Sequence, residues 1–205
     1  LNIAYVCCGQ GPQHINMGYD MCEVFPVFKN KILECDKIWK NVTGESFVEK
    51  NKMFLPKFRE TDRSDVPVNQ PPVAQPAIFF YQVALFELYK SYGIIPSAII
   101  GHSAGELAAF HISGAISLED CVEFAYHRGL GQQKTNGLGN MLVINKSYQE
   151  LVDTVGESEL LSKLEIACIN DANTIVLAGS SVLIKEMNKV SVSYTHLRAH
   201  ETVSH

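Results

Sequence analysis

Gly101-His102-Ser103-Ala104-Gly105 places a serine between two glycines, between an apolar strand-like run and a helix-forming run. That is the Gly-x-Ser-x-Gly pattern of a nucleophile elbow, a turn so sharp that only small residues fit on either side of the serine. The turn lifts the Ser103 hydroxyl out of a sheet and aims a helix N-terminus at it. The Ala104 N–H is then placed to stabilise an oxyanion. The chemistry this predicts is nucleophilic catalysis by the Ser103 hydroxyl. Such a serine needs a base, usually a histidine. His102 adjoins Ser103 and points away from it, which suits a pocket wall. His111 is eight residues along the helix, His127 sits beside Arg128 at a helix edge, and His14 follows a glycine turn. None is a convincing base, so the base is expected outside this chain.

The elements that must hold the serine are legible around it. Leu1–Cys8 reads as a short buried strand ended by Gly9-Gln10-Gly11-Pro12. Val27–Trp39 has Phe28, Ile32, Leu33 and Ile38 near helical spacing. Residues 66–75, rich in Pro, Val and Gln, predict an extended connector. Pro76 is expected to open a helix that runs through Ala77–Tyr92 to a stop at Gly93. Ile94–Ile100 predicts the strand entering the elbow, and residues 106–113 the helix leaving it. Ser117-Leu118-Glu119-Asp120 has the form of a capping box opening a helix through Arg128.

After the polar stretch Gly131–Asn140 the pattern changes. Strand-like Met141–Ile144, helical Tyr148–Val155, strand-like Leu164–Ile169 and Thr174–Ala178, and helical Ser181–Lys189 follow in turn. That β-α-β-β-α order predicts a split-βαβ subdomain whose last strand is absent. The tail from Val192 has no periodicity and looks like the translation of a sequencing-library adapter. Its histidines, His196, His200 and His205, are therefore set aside from any metal or catalytic argument. No metal site is expected.

Composition bounds the rest. The 205 residues are 46% hydrophobic and 19% charged, the balance of a folded chain rather than a disordered one. Seventeen basic against twenty-two acidic side chains leave a net charge of −5. That argues against a nucleic-acid binder with a broad basic face. No apolar run reaches the roughly 18 residues of a membrane span. Of the six cysteines, Cys7 and Cys8 are adjacent in a strand-like run and no Cys-x-x-Cys occurs. Reduced, buried thiols in a cytoplasmic protein are expected. The chain opens on Leu1 with no initiator methionine, and is expected to begin inside something larger.

Four stretches together carry a resemblance: Gly9-Gln10-Gly11-Pro12-Gln13 after the first strand, Gln75-Pro76-Ala77, Gly101-His102-Ser103-Ala104-Gly105-Glu106, and His127-Arg128-Gly129. They are similar to the malonyl-CoA:acyl-carrier-protein acyltransferase family. With Gly137-Leu138-Gly139-Asn140-Met141 and residues 167–179 added, the chain most resembles the acyltransferase domain of eukaryotic type I polyketide synthases. The resemblance runs in order from Leu1 to about Val190 and implies an α/β fold. Residues 1–136 would form a parallel-sheet, α/β-hydrolase-like core carrying the elbow. Residues 137–191 would form part of an inserted ferredoxin-like subdomain, and residues 192–205 the adapter-like tail.

The resemblance also implies roles. Ser103 would take a malonyl or related unit from coenzyme A and pass it to the phosphopantetheine thiol of an acyl carrier protein, with no bound cofactor. The N–H groups of Gln10 and Ala104 would form the oxyanion hole. Arg128 would hold the free carboxylate of the acyl group, a bidentate task that suits a guanidinium. His102 would line the pocket. Pro12 and His14 depart from the family's usual serine and aromatic residue. The family's catalytic histidine would fall beyond Val190, so the chain by itself is expected to be inactive and to leave apolar faces uncovered. Expected partners are the carrier protein and adjacent synthase domains such as a ketosynthase, with no nucleic acid and no membrane. A fatty-acid synthase shares this chemistry. A serine esterase or thioesterase would share the elbow but leave Gly9-Gln10-Gly11 and Arg128 without a purpose. A non-catalytic docking domain would have lost residues that are present here.

Overall fold

A computed structural model describes residues 2–58, 65–156, 158–193 and 199–202. It divides into two compact units, Leu1–Lys134 and Thr135–His205.

In the first unit, β1 (Ala4–Cys7) leads through α1 (Tyr19–Val24), α2 (Pro26–Thr43) and α3 (Phe47–Asn51) to a long helix, α4 (Pro71–Ser91). Then come β2 (Ala98–Gly101), α5 (Glu106–Ile112) and α6 (Leu118–Gln133). β1 and β2 pair in parallel, with Ala4 opposite Ala98 and Cys7 opposite Gly101. α2 shows why the periodicity reads as helix: Phe28, Ile32, Cys35 and Trp39 fall on one buried face. Trp39, Phe47, Phe80 and Tyr126 stack edge to face, drawing α2, α3, α4 and α6 together. Full burial of a side chain such as Phe80 contributes about 2–3 kcal/mol.

Three boundaries differ from expectation. α4 begins at Pro71, not Pro76. Pro71 and Pro72 occupy the first turn, where no N–H is needed, and Gln70 is the extended residue before them. Pro76 is inside the helix and forfeits one backbone bond there. Burial of Val73, Ala74, Ala77 and Ile78 on the same turns offsets that loss. As a result Gln75 is a buried helical residue and not the end of a connector. β2 is shorter than Ile94–Ile100, because Pro96 has no N–H to offer a ladder and Ile95 stays 65% exposed. α6 continues past Arg128 to Gln133, which puts Arg128 within a helix with Gln132 one turn beyond it. Ser117 does cap that helix, accepting from the Asp120 N–H at 3.0 Å. One face of the strand pair is apolar and uncovered, with Val6 72% and Ile100 58% exposed.

The second unit comprises β3 (Asn140–Ile144), α7 (Tyr148–Val155), α8 (Glu159–Ser162), β4 (Glu165–Asp171), β5 (Thr174–Gly179), α9 (Ser181–Ser193) and β6 (Ala199–Thr202). Its sheet has the order β4-β5-β3-β6, with every pairing antiparallel. Leu142, Ile144, Leu151, Ile175, Leu177, Ile184 and Met187 form its core. Ser147 and Glu150 close a capping box at the start of α7.

The expectation of a missing last strand is corrected here. Residues 199–202 pair with β3 from Ile144 opposite Ala199 to Met141 opposite Thr202. An otherwise open edge of β3 supplies the backbone groups that this strand satisfies. Residues 194–198 and 203–205 of the adapter-like tail lie outside the described residues.

Among the described residues the six cysteines form no disulfide. Burial pushes the Cys7, Cys22 and Cys121 thiols up to about 11 and the Cys35 thiol to about 12. Because the thiolate is the reactive form, a maleimide or disulfide reagent at neutral pH should label only Cys8 and Cys168 in the folded chain. The other four should react only on unfolding; rapid labelling of Cys35 in the native state would contradict the packing of α2.

Candidate functional site

β2 ends at Gly101, and the chain turns at once. The His102 N–H donates to the Cys7 carbonyl at 2.9 Å, the last tie between the two strands before the elbow. Ser103 then adopts φ +53°, in the left-handed region that an L-residue occupies only when its surroundings hold it there. A single 3-10 turn, Ser103–Gly105, follows and runs into α5. The glycines are required by close approach. A Cβ on Gly105 would lie 2.1 Å from the Cys7 carbonyl oxygen, and one on Gly101 would lie 2.4 Å from the Glu106 Cα. The start of α5 is therefore pressed directly against the exit of β1.

The same crowding brings the first loop to the serine. A Cβ on Gly9 would stand 3.0 Å from both the Ser103 Cβ and the His102 carbonyl oxygen, so Gly9-Gln10 passes beside the elbow. Two side chains hold this loop. Gln82 donates from Nε2 to the Cys8 carbonyl at 2.7 Å. Gln13 accepts from the Gly11 N–H at 2.7 Å and donates to Asn69 Oδ1 at 3.1 Å. Ser103 is exposed while Ala104 is buried beneath it at 2%. Among the described residues, no group hydrogen-bonds the Ser103 hydroxyl, and the N–H groups of Gln10 and Ala104 have no acceptor.

Arg128 reaches this region through one buried side chain. Gln75, 1% exposed, accepts from Arg128 Nη1 at 2.7 Å. Its Nε2 donates to Gln10 Oε1 at 3.1 Å and also to Gln132 Oε1. Among the described residues no carboxylate pairs with the Arg128 guanidinium. Its positive charge is thus held by a neutral amide and left uncompensated.

The four histidines before the tail occupy different places in this unit. His102 is exposed at the elbow. His111 faces the Ile116 carbonyl at 3.4 Å, and burial holds its pKa below the usual histidine value. His127 lies 3.8 Å from the Glu123 carboxylate on the outside of α6. His14 is exposed on the loop. A cavity of about 180 Å³ along β1 is lined by Tyr5, Phe86 and Tyr89 among others, and by none of Gln10, His102, Ser103, Ala104 or Arg128.

The fold therefore gathers Gln10, His102, Ser103 and Ala104 at one elbow and ties Arg128 to Gln10 through Gln75. Sequence reasoning missed the part played by Gln75 and Gln132. The available signal was Gln75 itself, the one amide in the apolar run from Val73 to Phe80.

The family described as "Acyl transferase domain" matches residues 4–202. "Probable polyketide synthase 17" of Dictyostelium discoideum is 41% identical over 179 residues, which is 87% of this chain and 6% of that protein. Among solved structures, the acyltransferase domain from the second module of the salinomycin polyketide synthase has a TM-score of 0.79 at 26% identity. The superposition covers 98% of this chain and 44% of that one. A loading acyltransferase from the avermectin modular polyketide synthase shares the fold, with a TM-score of 0.80 at 24% identity over 98% of this chain and 61% of that one. The chain thus spans a small part of its curated relative and about half of its structural neighbours.

Proposed function

The chain belongs to the acyl transferase domain family, of the polyketide-synthase type, and from that premise we propose that it moves a malonyl or related unit from coenzyme A to the phosphopantetheine thiol of an acyl carrier protein. The observation that carries this reading is the uncompensated Arg128, joined to the elbow loop through Gln75 and Gln10. A hydrolase of simple acyl esters has no use for a cation held open in this way. An acyl group with a free carboxylate does.

In this reading the Ser103 Oγ attacks the thioester carbonyl, and the Gln10 and Ala104 N–H groups receive the negative charge on its oxygen. The carbon–sulfur bond breaks, and coenzyme A leaves with the proton taken from Ser103. The carrier-protein thiol then attacks the seryl ester and returns a proton to Ser103. His102 forms part of the pocket wall. The base that moves these protons is assigned to the family's catalytic histidine, which the resemblance puts beyond Val190. Adjacent synthase domains such as a ketosynthase are the natural users of the loaded carrier protein. Thiols in place of disulfides suit a reducing compartment, and we place the reaction in the cytoplasm. Among the described residues no helix is long and apolar enough to cross a membrane.

Arg128→Ala tests the reading. Losing a charge-assisted contact to the acyl carboxylate should lower kcat/KM for malonyl-CoA about a hundredfold. Transfer from acetyl-CoA, which has no carboxylate to hold, should fall far less. Equal losses on the two donors would remove Arg128 from this role.

A further inference from the structure

Gln75 occupies an unusual position for a side chain that touches neither the serine nor the expected oxyanion. It is buried in the first turns of α4, yet its amide reaches three groups on two other segments. Its oxygen accepts from Arg128, and its nitrogen donates to Gln10 and to Gln132. Both ends of the amide are therefore occupied. Rotating it by half a turn would place its NH2 against the Arg128 guanidinium and its oxygen against two carbonyl oxygens, so the network admits one orientation. Gln10 and Arg128 come from opposite ends of the unit, more than a hundred residues apart in the chain. Gln75 is the side chain that links them.

We propose that Gln75 is a positioning residue that sets the preference for carboxylated acyl groups, an inference that rests on the acyl-transfer reading given above. Two properties do this. Its length fixes the spacing between the guanidinium and the loop carrying the Gln10 N–H, so the receptor for the acyl carboxylate and the receptor for the thioester oxygen keep one separation. Its neutrality anchors Arg128 without cancelling its charge. A carboxylate in the same place would accept from the same nitrogen, but it would form an internal ion pair and compete with the carboxylate of the substrate.

The test is Gln75→Glu, nearly isosteric, assayed in the complete polypeptide with malonyl-CoA and acetyl-CoA as alternative donors. The malonyl-to-acetyl ratio of kcat/KM should fall about tenfold to a hundredfold, with the loss in malonyl transfer seen chiefly as a raised KM. A merely structural role would lower both donors together and leave the ratio unchanged, and that result would overturn the proposal. If Gln75→Glu is recovered unfolded by circular dichroism, Gln75→Asn gives the same reading. Its shorter amide cannot hold Arg128 and Gln10 at once, so the ratio should again fall, and an unchanged ratio would again count against the proposal. Arg128→Ala, run alongside, separates the two levels. If Arg128→Ala reduces malonyl and acetyl transfer equally, the underlying assignment of Arg128 fails. If Arg128→Ala is selective and the Gln75 variants are not, only the role of Gln75 fails.

Discussion

Ser103→Ala should reduce transfer of the acyl group to a carrier protein by at least about a thousandfold, while coenzyme A esters still bind. The size of the effect follows from the geometry. Ser103 sits at φ +53° on a turn whose two flanking glycines are in close contact with neighbouring backbone, so no adjacent side chain can be brought to the same place. The thiols on the strand exit beside the elbow do not substitute: Cys7 is buried, and the Cys8 sulfur accepts from Gln82 Nε2 at 3.3 Å. Removing the hydroxyl leaves the oxyanion donors intact but gives them no ester to stabilise. Single-turnover transfer from labelled malonyl-CoA measures this directly. A variant retaining a tenth or more of wild-type transfer would show that another group is the nucleophile.

Gly105→Ala should have the second large effect, on folding as well as activity. The added methyl would meet the Cys7 carbonyl oxygen at 2.1 Å and the Cys8 carbonyl oxygen at 2.6 Å. Both are backbone atoms at the end of the parallel strand pair, and no side-chain rotation can relieve the contact. Either α5 moves away from β1 or the β1 exit is displaced, and the second would carry Gly9-Gln10 away from Ser103. A cost of about 3 kcal/mol or more is expected, a large share of a typical domain's 5–15 kcal/mol. Urea unfolding of the wild type and the variant reads this cost. A difference below about 0.5 kcal/mol, the range of an ordinary surface substitution, would mean that the elbow is not packed as described.

The elbow was legible in the sequence because its signals agree. A β-rich run, two glycines around a serine and a helix-forming run each point to the same turn, and the structure puts Gly101, Ser103 and Gly105 there. The first strand, α2 and α7 were equally readable, since each has one buried face with the period of its element. The start of α4 was not. Pro71, Pro72 and Pro76 all suggest extended chain or a helix start, and choosing among them requires the burial of Val73, Ala74 and Ile78 in a helix that packs on α2 and α6, which is tertiary information. The surroundings of Arg128 were hidden for a similar reason. Gln75 is 53 residues away in sequence, and nothing local announces that its amide turns toward α6. β6 carries no alternating apolar pattern, so only its backbone pairing with β3 shows it to be a strand.

In the proposed reaction Ser103 carries the acyl group. Mass spectrometry of peptides from the complete polypeptide, after brief exposure to malonyl-CoA, tests it most directly. A malonyl ester is expected on the peptide containing Gly101-His102-Ser103-Ala104-Gly105, discharged on adding a carrier protein and absent from Ser103→Ala. No adduct on the wild-type peptide, or an adduct that survives the substitution, would contradict it.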